Sequence, residues 1–168
     1  MQLIMRATSG LVAALGMVGL AACDAPATTP APSPKAVEAA PPATKGATIS
    51  NARLVLAPVR GNPAALYFDL SYAGSPAVTL DDVDVEGAGM AMIHQMIDKG
   101  GAMSMGDAGI ITLKDGDSIS FAPGGLHVMV MEPAESWQPG GTAKVTLMFS
   151  GGMTAAVEVP VRAAGDER

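Results

Sequence analysis

The stretch from Ala47 to Arg162 predicts an all-β protein, a single antiparallel β-sandwich or barrel. Three observations carry this. Short runs rich in Val, Ile, Leu and Thr recur at strand length. Clusters of Gly, Pro, Asn and Asp punctuate them. No segment repeats its apolar residues at the helical period of 3.6. A chain of many short strands with turn signals between them buries its apolar faces by packing sheet on sheet or by closing one sheet on itself.

Taken in order, the apolar runs predict strands near 48–57, 65–73 and 77–86, separated by Arg60-Gly61-Asn62-Pro63 and Gly74-Ser75-Pro76. Further strands are expected near 90–97 and 102–105, with Gly100-Gly101 turning the chain between them. Runs at 110–113 and 117–121 flank Lys114-Asp115-Gly116-Asp117, and Pro123-Gly124-Gly125 leads into 127–131. Pro139-Gly140-Gly141 opens the last pair, 142–149 and 154–161. No internal repeat is visible.

Ahead of this domain the composition changes twice. Residues 1–22 carry one cation, Arg6, then an apolar run from Leu11 to Ala22, the form of a secretory signal peptide. The run is shorter than the roughly 20 residues a spanning helix needs. It ends Leu20-Ala21-Ala22-Cys23, which resembles a bacterial lipobox. That resemblance implies cleavage before Cys23 and lipidation of its sulfur, with ordinary cleavage nearby as the alternative. Residues 23–46 follow as a Pro/Ala/Thr tether holding six of the 13 prolines. In polyproline geometry it spans up to roughly 70 Å, enough for the domain at 47–162 to meet a partner near a membrane. Residues 163–168 form a short tail. Asp24 directly after Cys23 resembles an inner-membrane retention signal, so the expected location is the periplasm, with a lipid anchor in a membrane and the inner membrane as the candidate.

Charge and cysteine count narrow the function. Ten Lys and Arg less Arg6, set against 16 acids, leave the exported part at −7. No basic footprint for nucleic acid is present. The small acidic cluster Asp81, Asp82, Asp84 and Glu86 reads as a solvated face. Cys23 is the single cysteine. Its lipidation leaves neither a disulfide nor a thiolate, which excludes a blue-copper site and Cys-x-x-Cys chemistry.

The histidines and methionines carry the positive signal. The chain has two histidines, and both fall in one spaced pattern: His94, ten residues, Met105, twenty-one residues, His127, one residue, Met129. No methionine occurs between Asp24 and Gly89, and seven then crowd into 90–131. Methionine used as core filler would scatter. Two imidazoles and two thioethers make a neutral, soft donor set that selects Cu(I). Strand periodicity places His127, Met129 and Met131 on one face, with Val128 and Val130 on the other. Met90, Met92, His94 and Met96 form a second same-face stripe, and Met103 and Met105 a third. Convergence of the three at one end of the sandwich would let His94, Met105, His127 and Met129 share one ion. Met90, Met92 and Met131 are expected to pack, as strand methionines usually do. Met96 and Met103 stand as substitute ligands or rim residues.

The stretch from His94-Gln95-Met96 through Met103-Ser104-Met105 to Pro123-Gly124-Gly125-Leu126-His127-Val128-Met129-Val130-Met131 closely resembles the periplasmic copper chaperones known as PCu(A)C proteins, whose motif is His-x10-Met-x21-His-x-Met. Phe149 to Val161 also looks like that family's closing strands. The resemblance covers roughly Ala47 to Arg162. It implies a cupredoxin-like Greek-key β-sandwich, Cu(I) held by His94, Met105, His127 and Met129, and delivery to a membrane acceptor. That acceptor would be the CuA centre of cytochrome c oxidase or another copper chaperone. The His- and Met-rich tail of some family members is missing from Ala163 to Arg168, and 71–89 follows the family pattern only loosely. Two other functions fit the same residues: copper scavenging without delivery, and a lipoprotein whose Met-rich surface binds a protein. An enzyme is not expected, because no Ser-His-Asp signature is present and four ligands would leave no open metal position.

Overall fold

The computed structural model describes residues 43, 44 and 46–166. The leader, Cys23, Asp24 and most of the tether lie outside them. Among the described residues eleven strands follow one another: β1 (Ala43–Thr44), β2 (Ala47–Val55), β3 (Ala64–Tyr72), β4 (Val78–Val85), β5 (Ala88–Asp98), β6 (Met103–Asp107), β7 (Ile111–Leu113), β8 (Ser118–Phe121), β9 (Leu126–Pro133), β10 (Thr142–Phe149) and β11 (Met153–Arg162). A single 3-10 turn, Ser150–Gly152, joins the last two. Every strand expected from the apolar runs is present. β1 is additional: it lies inside the segment that composition assigns to the tether and pairs with Ala47 and Thr48.

The strands are ordered β6-β5-β9-β8-β3-β2-β11-β10-β4-β7, with β1 on β2 and a further β9–β3 pairing. β11 is the hinge of the sandwich, bonding to β10 along its length and to β2 at Val161 and Arg162. The ladders are antiparallel except at β11–β2 and at Phe121↔Leu126 between β8 and β9, which are parallel. The β11–β2 closure joins segments more than a hundred residues apart, for which local sequence pattern carries no signal.

Alternation builds the core. β3 turns Leu66, Phe68, Leu70 and Tyr72 inward, and β10 turns Ala143, Val145, Leu147 and Phe149 inward. The two sheets meet where Ile49, Leu66 and Phe68 face Val145, Leu147 and Val159. Phe68 and Phe121, paired across β3 and β8, stack with ring centroids 4.2 Å apart. In β4 the register slips between Leu80 and Asp82, so Asp81 is an extra residue. The bulge keeps Leu80 and Val83 in the core and turns Asp81, Asp82 and Asp84 to solvent. The acidic cluster is therefore a solvated face.

Candidate metal centre

Three strands at one edge of the sheet carry both histidines. β5 and β9 pair so that Met90 stands opposite Met131, Met92 opposite Met129, and His94 opposite His127. On its other side β5 pairs with the edge strand β6, placing Met96 opposite Met105, Asp98 opposite Met103 and His94 opposite Asp107. Directly opposed residues in an antiparallel ladder share a face. All of these side chains therefore project from one surface. The alternate residues point inward: Val128 and Val130 are fully buried, and Ala91 and Ile93 pack against the core. The chemistry-bearing surface is the outward one, beside the edge strand.

Glycine-rich turns hold the three strands in register. Gly100 and Gly101, with φ of 71° and 94°, adopt the left-handed backbone that the β5–β6 hairpin requires. The Gly101 N–H donates to Asp98 Oδ1 at 2.6 Å, and Lys99 N–H donates to the Ala102 carbonyl at 2.9 Å. At the other turn the Gly125 carbonyl accepts the Met96 N–H at 3.3 Å and lies 3.1 Å from His127 Nδ1. The sequence reading missed this carbonyl as a functional group; its one signal was the Pro123-Gly124-Gly125 turn placed two residues before a histidine.

The side-chain geometry gathers the donors. His94 Nδ1 lies 3.2 Å from Met105 Sδ. The two imidazoles stand edge to face with centroids 6.1 Å apart. Met129 follows His127 on the same face of β9 and sits diagonally across from His94. Donors around one tetrahedral ion with zinc-like N and S bond lengths are separated by roughly 3.5 Å, close to the His94–Met105 spacing. His127 is 7 % exposed and is the one buried polar or charged side chain of the described core, while Met105 is 46 % exposed. A neutral His127 with its Nδ1–H donated to Gly125 O presents Nε2 as the free lone pair. The arrangement thus has a buried, oriented imidazole on one side and an accessible thioether on the other.

Two expectations are corrected. Met90 and Met92 do not pack in the core: they are 57 % and 37 % exposed on the outer surface. Met131 is half-buried on that same surface. β5 is apolar on both faces, so its alternation shows which residues travel together but not which set turns inward. Of the undecided pair, Met96 is half-buried opposite Met105, and Met103 is exposed at the hairpin end. Among the described residues, no group of three or more His, Cys, Asp or Glu comes together. A metal held on this surface would depend on thioethers to complete its shell.

Comparison with known proteins agrees with this architecture. Residues 47–161 match the family described as "Putative lipoprotein LpqE-like". Over 160 residues the chain is 31% identical to "Putative lipoprotein Lxx21020" of Leifsonia xyli subsp. xyli (strain CTCB07), covering 95% of this chain and 90% of that one. Among solved structures, the copper-bound PCuAC domain from PmoF2 aligns with a TM-score of 0.58 at 23% identity, over 72% of this chain and 96% of that chain. The apo PmoF2 PCuAC domain gives 0.60 at 22% identity, over 76% and 98%. Apo-DR1885 from Deinococcus radiodurans gives 0.52 at 22%, over 92% and 100%. The resemblance read from the motif holds at the level of the fold.

Proposed function

This chain belongs to the LpqE-like lipoprotein family, and from that premise we propose that it carries copper outside the cytoplasm. In this reading it holds one Cu(I) between His94, Met105, His127 and Met129 and passes it to a membrane acceptor. The observation that carries the reading is the register. His94 and His127 are directly paired across β5 and β9, with Met105 Sδ 3.2 Å from His94 Nδ1 on the same outward surface. A spacing pattern scattered over 36 residues of sequence becomes one cluster of neutral, soft donors. The likeness of the fold to a copper-bound PCuAC domain supports it.

The donor set suits a carrier. Neutral thioethers and imidazoles leave the bound ion at +1, and without a thiolate no single bond is hard to exchange. Thioethers also resist disulfide formation in an oxidising compartment, although oxidation to sulfoxide would disable them. The half-exposed Met105 on the edge strand gives an acceptor a place to begin ligand exchange, whereas buried His127 would let go last. That asymmetry favours delivery over storage. The CuA domain of cytochrome c oxidase is the first acceptor to test. We further propose that residues 1–22 are a leader, that Cys23 carries the lipid, that 23–46 is the tether of the domain at 47–162, and that the protein is a carrier with no catalytic turnover.

The test is an anaerobic Cu(I) titration against a competing chromophoric chelator, using the full chain with Cys23→Ser so that no thiol competes. Met105→Ala and His127→Ala are each expected to weaken the tightest equivalent by at least an order of magnitude. Tight binding indifferent to both substitutions would return these residues to a structural role.

A further inference from the structure

The methionine ladder does not stop at the four residues assigned above. Next to the histidine pair, the same outward surface carries Met92 opposite Met129 and then Met90 opposite Met131. An outward-facing sheet surface is ordinarily polar, and packing does not account for Met90 and Met92, at 57 % and 37 % exposed. Opposed residues have Cβ atoms about 5 Å apart. The methionine side chain is unbranched with three rotatable bonds, so sulfurs from opposed and next-but-one positions can swing onto a single ion.

We propose that Met90, Met92 and Met131 form a second, thioether-only station for a soft monovalent cation, Cu(I) or Ag(I), with Met129 lying between it and the histidine pair. Three thioethers select a soft ion and reject hard divalent cations. Movement between the stations is ligand exchange through Met129: one metal–sulfur or metal–nitrogen contact is replaced by another, the ion stays at +1, and no electron or proton is transferred. The relay role rests on the copper reading above. The station itself rests on register and exposure alone.

The test is an anaerobic Cu(I) titration, repeated with Ag(I), of the full chain carrying Cys23→Ser, with Met90→Leu/Met131→Leu and His94→Ala/His127→Ala beside it. Two equivalents are expected in the parent chain and one in each variant. Circular dichroism checks that each variant keeps its sheet. In the His94→Ala/His127→Ala chain, the methyl NMR signals of Met90, Met92 and Met131 should shift with the remaining equivalent. A single equivalent untouched by Met90→Leu/Met131→Leu would overturn the second station and leave the histidine site standing. A single equivalent lost in that variant but kept without the histidines would do the reverse. No binding in the parent chain would overturn both.

Discussion

Asp69 shows how one side chain ties three strands. Its carboxylate accepts from Asn51 Nδ2 at 2.7 Å and from Ser120 Oγ at 2.5 Å, linking β2, β3 and β8 on the outer surface of the sheet. Asn51 pays for this with a left-handed backbone, φ 52°, a conformation that asparagine tolerates better than most residues. The Asn51 hydrogen bond first, then that of Ser120, hold the Asp69 carboxyl below the usual carboxylate range against the opposing effect of burial, with a lesser contribution from nearby Arg53. The sign follows. A depressed folded-state value contributes stability that is present above the unfolded-state value and disappears as pH falls through the folded one. Asp69→Ala is therefore expected to cost about 1 kcal/mol near neutral pH, a figure kept low because the group is partly solvated. The cost should shrink towards zero as the parent is acidified below the carboxylate range. Urea unfolding of both chains across pH 2–7 checks this; a difference that stays constant to the lowest pH would contradict it.

At the scale of the element, the pairing of β3 with β8 and the ladder β6-β5-β9 differ in how much of them sequence could reveal. In β3 the alternation of Leu66, Phe68 and Leu70 with Tyr67, Asp69 and Ser71 indicates both the strand and its inward face. Phe68→Ala removes a fully packed ring that stacks on Phe121 and is expected to destabilise the fold by about 3–5 kcal/mol, measured by chemical denaturation. A loss below about 1 kcal/mol would mean that the two sheets do not close on this pair. β5 was legible as a strand but not in its orientation, because Met90, Met92 and Met96 alternate with Ala91 and Ile93 and both sets are apolar. Only the β5–β9 register, fixed by long-range pairing, turns the methionines outward. The candidate ligands themselves were legible because motif spacing is a property of the chain. What spacing could not supply was the direct His94↔His127 pairing, the Gly125 carbonyl that orients one ring, and the parallel closure of β11 on β2. The pairing and the closure depend on contacts distant in sequence, and the carbonyl, though only two residues from His127, depends on the backbone path of the turn.

For the whole molecule, the candidate site makes copper binding a report on folding. Its donors come from three strands that lie together only in the folded chain, so an ion bound there stabilises the native state by mass action. At a free metal concentration of 100 times the dissociation constant, the gain is about 2.7 kcal/mol. For a domain of this size that raises the melting temperature on the order of 10 °C. The histidines are needed for most of this gain, so the His94→Ala/His127→Ala chain should lose more than half of the metal-dependent shift. Differential scanning of apo and Ag(I)-loaded chains, parent beside variant, measures it. A shift of equal size in both would remove the histidines from the ligand set, and the thioethers alone would then account for the bound metal.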